Sequence, residues 1–191
     1  GQDWLHVLGT SSVHWAITLT AIQRCLRQIN PNLTVSYDSS SPFQISGRYE
    51  LRADIPKFGE NYSDWNIGYA QSPQGEKYVG SSEAFPVSSP LGDRITLGDI
   101  NAYKQKYRKR RYDSVSQAML SNHNTFIYLQ SFQMANDFVF DLSRKSQIPK
   151  FISEYIACIE EAFDRPDWYG YLMKNQQLLR SHSKSRYKPS S

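Results

Sequence analysis

Apolar residues in this chain are grouped first as short runs and then at helical spacing. Leu5-His6-Val7-Leu8, closing on Gly9, reads as a short strand. Residues 13 to 29 carry Trp15, Leu19, Ile22, Leu26 and Ile29 on one helical face, with Ser11 or Ser12 placed as the N-cap. After a turn at Asn30-Pro31-Asn32, Thr34-Val35-Ser36-Tyr37 forms a second strand that delivers Asp38 into Ser39-Ser40-Ser41-Pro42. Strand, helix and strand in direct succession predict a parallel pair joined by a right-handed crossover. Two such strands do not make a stable parallel sheet alone, and a carboxylate at the carboxyl end of one of them lies where α/β folds carry their chemistry.

Residues 43 to 98 change character. Glycine and proline punctuate short aromatic runs such as Asp64-Trp65-Asn66-Ile67-Gly68-Tyr69, which predicts loops with little helix. Lys77-Tyr78-Val79 and Arg94-Ile95-Thr96-Leu97 are the strand candidates, and a short helix is expected to open at Asp99. Helix returns at Ser114, where Ser114 to Gln117 fits a capping box. Val115, Met119, His123, Phe126, Leu129, Phe132, Ala135, Val139 and Leu142 continue one face, and Arg144 and Lys145 suit its C-terminal end. Pro149 suits the first turn of the next helix, which turns Ile152, Tyr155, Ile156, Ile159 and Phe163 inward and stops before Pro166. A third helix is expected over Trp168 to Leu179. The Ser-, Lys- and Arg-rich tail, residues 181 to 191, lacks apolar residues to dock it and is expected to be mobile.

Composition narrows the classes. A chain of 191 residues, 39% hydrophobic and 14% aromatic, supports a packed core, and no apolar run approaches the ~20 residues of a membrane span, so no membrane partner is expected. Cys25 and Cys158 lie far apart inside helical patterns, which argues against a disulfide framework and for a reducing, cytoplasmic compartment. The net charge of +4 is modest, but Lys104, Lys106, Arg108, Lys109, Arg110 and Arg111 cluster between Tyr103, Tyr107 and Tyr112. That pattern suits phosphate contact with base stacking, or else a solvated helix face. The chain opens at Gly1 and enters a strand almost at once, as an excised piece would.

Trp4-Leu-His-Val-Leu-Gly9, a helix, and Tyr37-Asp38 with Pro42 four residues on resemble the last two β/α units of the tRNA-guanine transglycosylases. In that family a TIM barrel places an aspartate nucleophile at the end of its eighth strand, in a segment Phe-Asp-Cys-Val-x-Pro-Thr-Arg. Ala118 to Gln130, with His123, Asn124 and Tyr128, is similar to the family helix that carries a His-Asn pair and a following aromatic residue. The resemblance covers roughly residues 4 to 49 and 114 to 163. It implies an α/β fold: residues 1–49 as the last two strands of a barrel, 50–113 as a loop-rich insert ending in a basic helix, and 114–180 as C-terminal helices. It also implies a missing N-terminal barrel half, in cis or as a separate chain, which would hold the second catalytic aspartate, the glycine pair and the aromatic base clamp.

Departures matter equally. Residues 43 to 113 contain no cysteine, so the family zinc site lacks its thiolates and retains only the position of His123; neither a metal nor another cofactor is expected. Phe43-Gln44 replaces the family's RNA-contacting Thr-Arg and leaves Arg48 as the nearest substitute. Ser39-Ser40-Ser41 is closer to the divergent branch, found in bacteria and their phages, that inserts 7-deazaguanines into DNA.

The resemblance thus implies a base exchange, guanine for a 7-deazaguanine, in DNA or tRNA, with Asp38 as nucleophile. By its residues alone Asp38 reads rather as an aspartate capping a turn through Ser40 or Ser41. His6 lies where the family sets a side chain against the bound base; alternatively it is a buried strand histidine satisfied by a backbone carbonyl. Gly9 allows close backbone approach or simply ends its strand. His123, between Met119 and Phe126, reads as a core histidine. The competing function is a non-catalytic nucleic-acid-binding subunit; a glycoside hydrolase fragment lacks a visible second carboxylate.

Overall fold

The computed structural model describes residues 2–102, 112–141, 143 and 147–183. The expected basic run at 104–111, Leu142, Arg144, Lys145 and the tail from 184 lie outside the described residues. The chain divides into two compact units. One comprises Gly1–Ser39, Lys57–Asn66 and Phe132–Ser191; the other comprises Ser40–Pro56 and Ile67–Ser131.

The first unit opens with β1 (Trp4–Val7), α1 (Val13–Ile29) and β2 (Thr34–Tyr37), and the strands pair parallel with Trp4 opposite Thr34 and His6 opposite Ser36. Ser12 caps α1 by accepting the Trp15 N–H. Asn30 then closes it, with its own N–H returned to Leu26 O and its side chain bonded to Asp3. The buried face of α1 is only partly the expected one. Val13, His14, Ala16, Ile17, Ala21 and Cys25 are inside with Leu19, whereas Trp15 and Ile29 are exposed. α1 packs against α5, and the Tyr155 hydroxyl donates to Thr18 Oγ1, which itself donates to His14 O.

After α4 (Ser114–Phe140), which contributes its end from Phe132 to this unit, come α5 (Lys150–Phe163), α6 (Trp168–Lys174) and α7 (Gln176–Ser183). Pro149 is the N-cap of α5 rather than its first helical residue. Ile152, Tyr155, Ile156 and Ile159 are buried as expected, but Phe163 is not. The single helix expected over 168–179 is broken at Asn175, whose side chain takes the Tyr171 carbonyl, and α7 then runs on to Ser183. Trp65 is fully buried, ringed edge-on by Phe58, Phe138 and Phe151, with its indole N–H on Gly59 O.

The second unit contains elements that the residue pattern had not announced. Pro42 sits in the first turn of a helix, α2 (Ser41–Tyr49), so the Ser-Pro break is a helix start. Glu50 leaves α2 in the left-handed region and turns the chain into β3 (Leu51–Asp54), which pairs antiparallel with β4 (Gly68–Gln71). The expected strands at 77–79 and 94–97 are absent. Glu76–Tyr78 is a 3-10 turn closed on the Gly75 carbonyl. Thr96 keeps one isolated bridge to Ala84 and caps α3 (Leu97–Ile100) through a reciprocal pair with Asp99, so this helix begins two residues before the expected Asp99. Those bonds hold the Asp99 carboxyl below the usual range.

The first part of α4 completes this unit. Its cap is Asp113, one residue before the expected Ser114: Asp113 Oδ1 accepts the Ser116 N–H and its carbonyl accepts that of Gln117. Phe85, Leu97, Ile100, Tyr112 and Leu120 form the apolar core here. The inward face of α4 is nonetheless largely polar, with Ser116, Ser121, His123, Asn124 and Ser131 buried and the expected Val115 and Leu129 exposed.

Candidate active site

β1 ends at Val7, and the chain turns through Gly9 at φ 73°, a left-handed value that favours glycine. No atom lies within 4 Å of a Cβ built there, so conformation, not crowding, selects glycine. The turn brings three backbone groups to Asp38. Its N–H reaches Val7 O at 3.3 Å, its carbonyl accepts the Thr10 N–H at 3.0 Å, and its Oδ1 accepts the Gly9 N–H at 3.1 Å. The carboxylate is thus held at the end of the ladder by the neighbouring strand's turn, rather than through Ser40 or Ser41. Its side chain is 60% exposed.

Asp38 Oδ2 faces His6 Nε2 at 3.9 Å, an electrostatic approach longer than a hydrogen bond. His6 is not the buried, carbonyl-satisfied histidine of the alternative reading: its side chain is 34% exposed and its Nδ1 lies 2.8 Å from Ser36 Oγ. Ser36 Oγ also accepts the Trp4 indole N–H at 2.7 Å, and the Trp4 and His6 rings stand 5.7 Å apart. The register and the two-residue period of a strand place Trp4, His6, Ser36 and Asp38 on one face of the sheet. On the opposite parity Tyr37 turns inward against Phe132, where burial pushes its phenol up from its ordinary value.

The structure therefore brings Asp38, His6 and Gly9 together, and adds Trp4 and Ser36, which the residue pattern had not marked. Within each strand the two-residue period was visible, grouping Trp4 with His6 and Ser36 with Asp38. What was missing was the register that sets Ser36 beside His6. Arg48 lies in the second unit, exposed in the last turn of α2.

The His-Asn pair of α4 is engaged by protein groups. His123 is fully buried: Ser89 Oγ accepts the Gly92 N–H and lies 2.9 Å from His123 Nδ1, while Nε2 reaches Ala53 O at 3.2 Å. Donation from Nε2 to the carbonyl leaves Nδ1 to accept from Ser89, which defines a neutral tautomer. Asn124 accepts the Ala53 N–H and donates to Leu51 O and Pro42 O. Tyr128 meets the Tyr69 hydroxyl of β4 at 2.6 Å, and burial drives its phenol far above its ordinary value. Among the described residues, no group of three His, Cys, Asp or Glu side chains is placed to hold a metal.

Burial lowers the His123 pKa below its ordinary value, against a smaller opposing effect from the Ala53 carbonyl. The unfolded chain therefore takes up the proton first as pH falls. The stability contributed by neutral His123 is complete above about 6.5 and is lost as pH drops from there through the depressed folded value. Urea unfolding at pH 7.5 and 5.5 is expected to show a larger loss for the wild type than for His123→Gln, which does not titrate. Equal losses would remove His123 from the pH response.

In comparisons with known proteins, the chain matches no family model, no curated protein and no solved structure.

Proposed function

We propose that this chain is part of a nucleic-acid transglycosylase that exchanges guanine for a 7-deazaguanine base through an Asp38 glycosyl-enzyme intermediate, on DNA rather than tRNA. One observation carries the reading: an exposed carboxylate at the carboxyl end of β2, with one oxygen held by the Gly9 N–H and the other beside His6, on a two-stranded parallel sheet. Breaking the C1′–N9 bond leaves oxocarbenium character on the sugar, which a fixed carboxylate stabilises and then captures. The departing guanine gains a proton. The incoming base loses one, attacks C1′ and releases Asp38, so the exchange balances without oxidant or reductant.

Parallel sheets are normally covered on both faces. Here the sheet has two strands among the described residues, and Trp4, Leu5 and Leu8 of the β1 segment are exposed, Leu8 to 75%. That exposure supports further barrel strands supplied by another part of the same protein or by a companion chain. Among the described residues no helix is long and apolar enough to cross a membrane. Two buried free thiols, Cys25 and Cys158, fit a cytoplasmic setting.

The test is covalent trapping. The chain, expressed with its flanking coding sequence, is mixed with a guanine-containing oligodeoxynucleotide or tRNA and a labelled 7-deazaguanine. An Asp38-dependent adduct on DNA supports the proposal; adduct on tRNA alone reverses the substrate preference. Nucleic-acid binding without any adduct would instead fit a non-catalytic binding subunit.

Binding itself should depend on Lys104, Lys106, Arg108, Lys109, Arg110 and Arg111. Reversing these charges is expected to flatten the slope of log affinity against log salt by about 0.7 to 0.9 for every phosphate left without its cation. An unchanged slope assigns the run to solvated surface.

A further inference from the structure

We infer that Ser36 is a positioning residue, fixing His6 in the tautomer that carries its proton on Nε2 and presents it to Asp38. The inference rests on the transglycosylase reading for its catalytic meaning, but its geometry stands apart from it. The indole N–H of Trp4 only donates, so Ser36 Oγ, at 2.7 Å, accepts it. Ser36 retains one hydroxyl hydrogen, and His6 Nδ1 lies 2.8 Å away. Donation to Nδ1 uses that hydrogen and leaves the imidazole proton on Nε2. The opposite assignment makes Ser36 accept twice and turns the Nε2 lone pair toward the carboxylate.

The electrostatics point the same way. An N–H directed at Asp38 Oδ2 across 3.9 Å is attractive, whereas a lone pair there is repulsive. The chain of donors runs from Trp4 to Ser36 to His6 and ends on the carboxylate, whose other oxygen is held by the Gly9 N–H. One carboxylate oxygen is thereby held by a hydrogen bond from the backbone turn, and the other faces the imidazole across 3.9 Å. His6 and Asp38 remain accessible at the sheet end, as a group acting on a substrate must. A histidine with free choice of tautomer would spend part of its time with Nε2 unprotonated and Asp38 less constrained, and misplacement on that scale slows reactions by roughly tenfold to a hundredfold.

The deciding measurement is nitrogen-15 NMR of the histidine side chains in the chain itself, which requires no substrate. Wild type is expected to show His6 protonated on Nε2, Ser36→Ala to show mixed tautomers, and Ser36→Thr, which keeps the hydroxyl, to restore the single form. Protonation on Nδ1 in the wild type, or an unchanged tautomer in Ser36→Ala, overturns the inference. In the trapping assay Ser36→Ala is expected to slow adduct formation about tenfold at unchanged oligonucleotide affinity. Absence of any adduct in the wild type would refute the transglycosylase reading while the tautomer result stood by itself. Normal adduct rates in a Ser36→Ala variant with mixed tautomers would refute the positioning role alone.

Discussion

Asp38→Asn is expected to abolish the trapped adduct and to lower base exchange by about 10⁶-fold, the scale reached when a covalent nucleophile is removed from an enzyme that works through one. The substitution isolates charge from shape. An asparagine carbonyl still accepts the Gly9 N–H that now reaches Oδ1, so the end of the ladder keeps its geometry. What disappears is the negative charge opposite the developing oxocarbenium and the oxygen able to bond to C1′. Asp38 is 60% exposed, so little folding free energy is at stake, within about 0.5 kcal/mol for an ordinary surface change. Intact-mass analysis of the trapped complex and single-turnover exchange of labelled base give the two readouts, with urea unfolding as the control. Full activity in the asparagine variant would reduce Asp38 to a residue that ties β2 to the Gly9 turn.

The parallel βαβ unit and the spans of α1, α4 and α5 were legible because each depends on local pattern: short strands, helical spacing and a Ser, Pro or Asn at the turn. Asp38 was legible for the same reason, since only the end of a strand was needed to place it. The buried face of α5 was legible too, at Ile152, Tyr155, Ile156 and Ile159, but those of α1 and α4 were legible only in part. In α1 Trp15 and Ile29 lie outside while Ala16, Ile17, Ala21 and Cys25 lie inside, so the buried stripe mixes small residues with large ones and apolar size does not mark it. In α4 the expected positions His123, Phe132, Ala135 and Val139 are inside, but Val115 and Leu129 of the same face are exposed, and Ser116, Ser121, Asn124 and Ser131 are buried where a search for apolar periodicity does not look. The β3–β4 hairpin escaped notice because Leu51-Arg52-Ala53-Asp54 is short and draws its stability from Asn124 of α4, 71 positions after Ala53. Ser36 was hidden likewise, its meaning set by a register between strands that no single segment encodes.

Asn124 shows how far such long-range polar bonds carry the second unit. Its carboxamide takes the Ala53 N–H at 2.7 Å and gives its two hydrogens to Leu51 O at 3.0 Å and Pro42 O at 3.3 Å, all in buried surroundings. Together with His123 on Ala53 O, these side chains occupy β3 groups that would otherwise need another strand. Asn124→Ala leaves the Ala53 N–H and the Leu51 carbonyl dry and without this partner, while Pro42 O keeps the Ser46 hydroxyl at 3.2 Å. At about 1 to 3 kcal/mol for each of these two buried groups, partly relieved by entering water, the expected loss is roughly 3 kcal/mol, a large fraction of the ~5–15 kcal/mol that holds a domain together. Asn124→Asp separates hydrogen bonding from volume. It fills the same space and still accepts from Ala53, but an ionised carboxylate has no hydrogen for either carbonyl, and repulsion adds to the loss. Urea unfolding should therefore rank wild type above both variants, with Asp no better than Ala at neutral pH and partly recovering in acid as the carboxyl protonates. Hydrogen exchange at Ala53 reports the same event locally: the amide should lose its protection in Asn124→Ala and keep more of it in Asn124→Asp. An alanine variant as stable as wild type, with Ala53 still protected, would mean that β3 is held by its pairing with β4 and not by the helix.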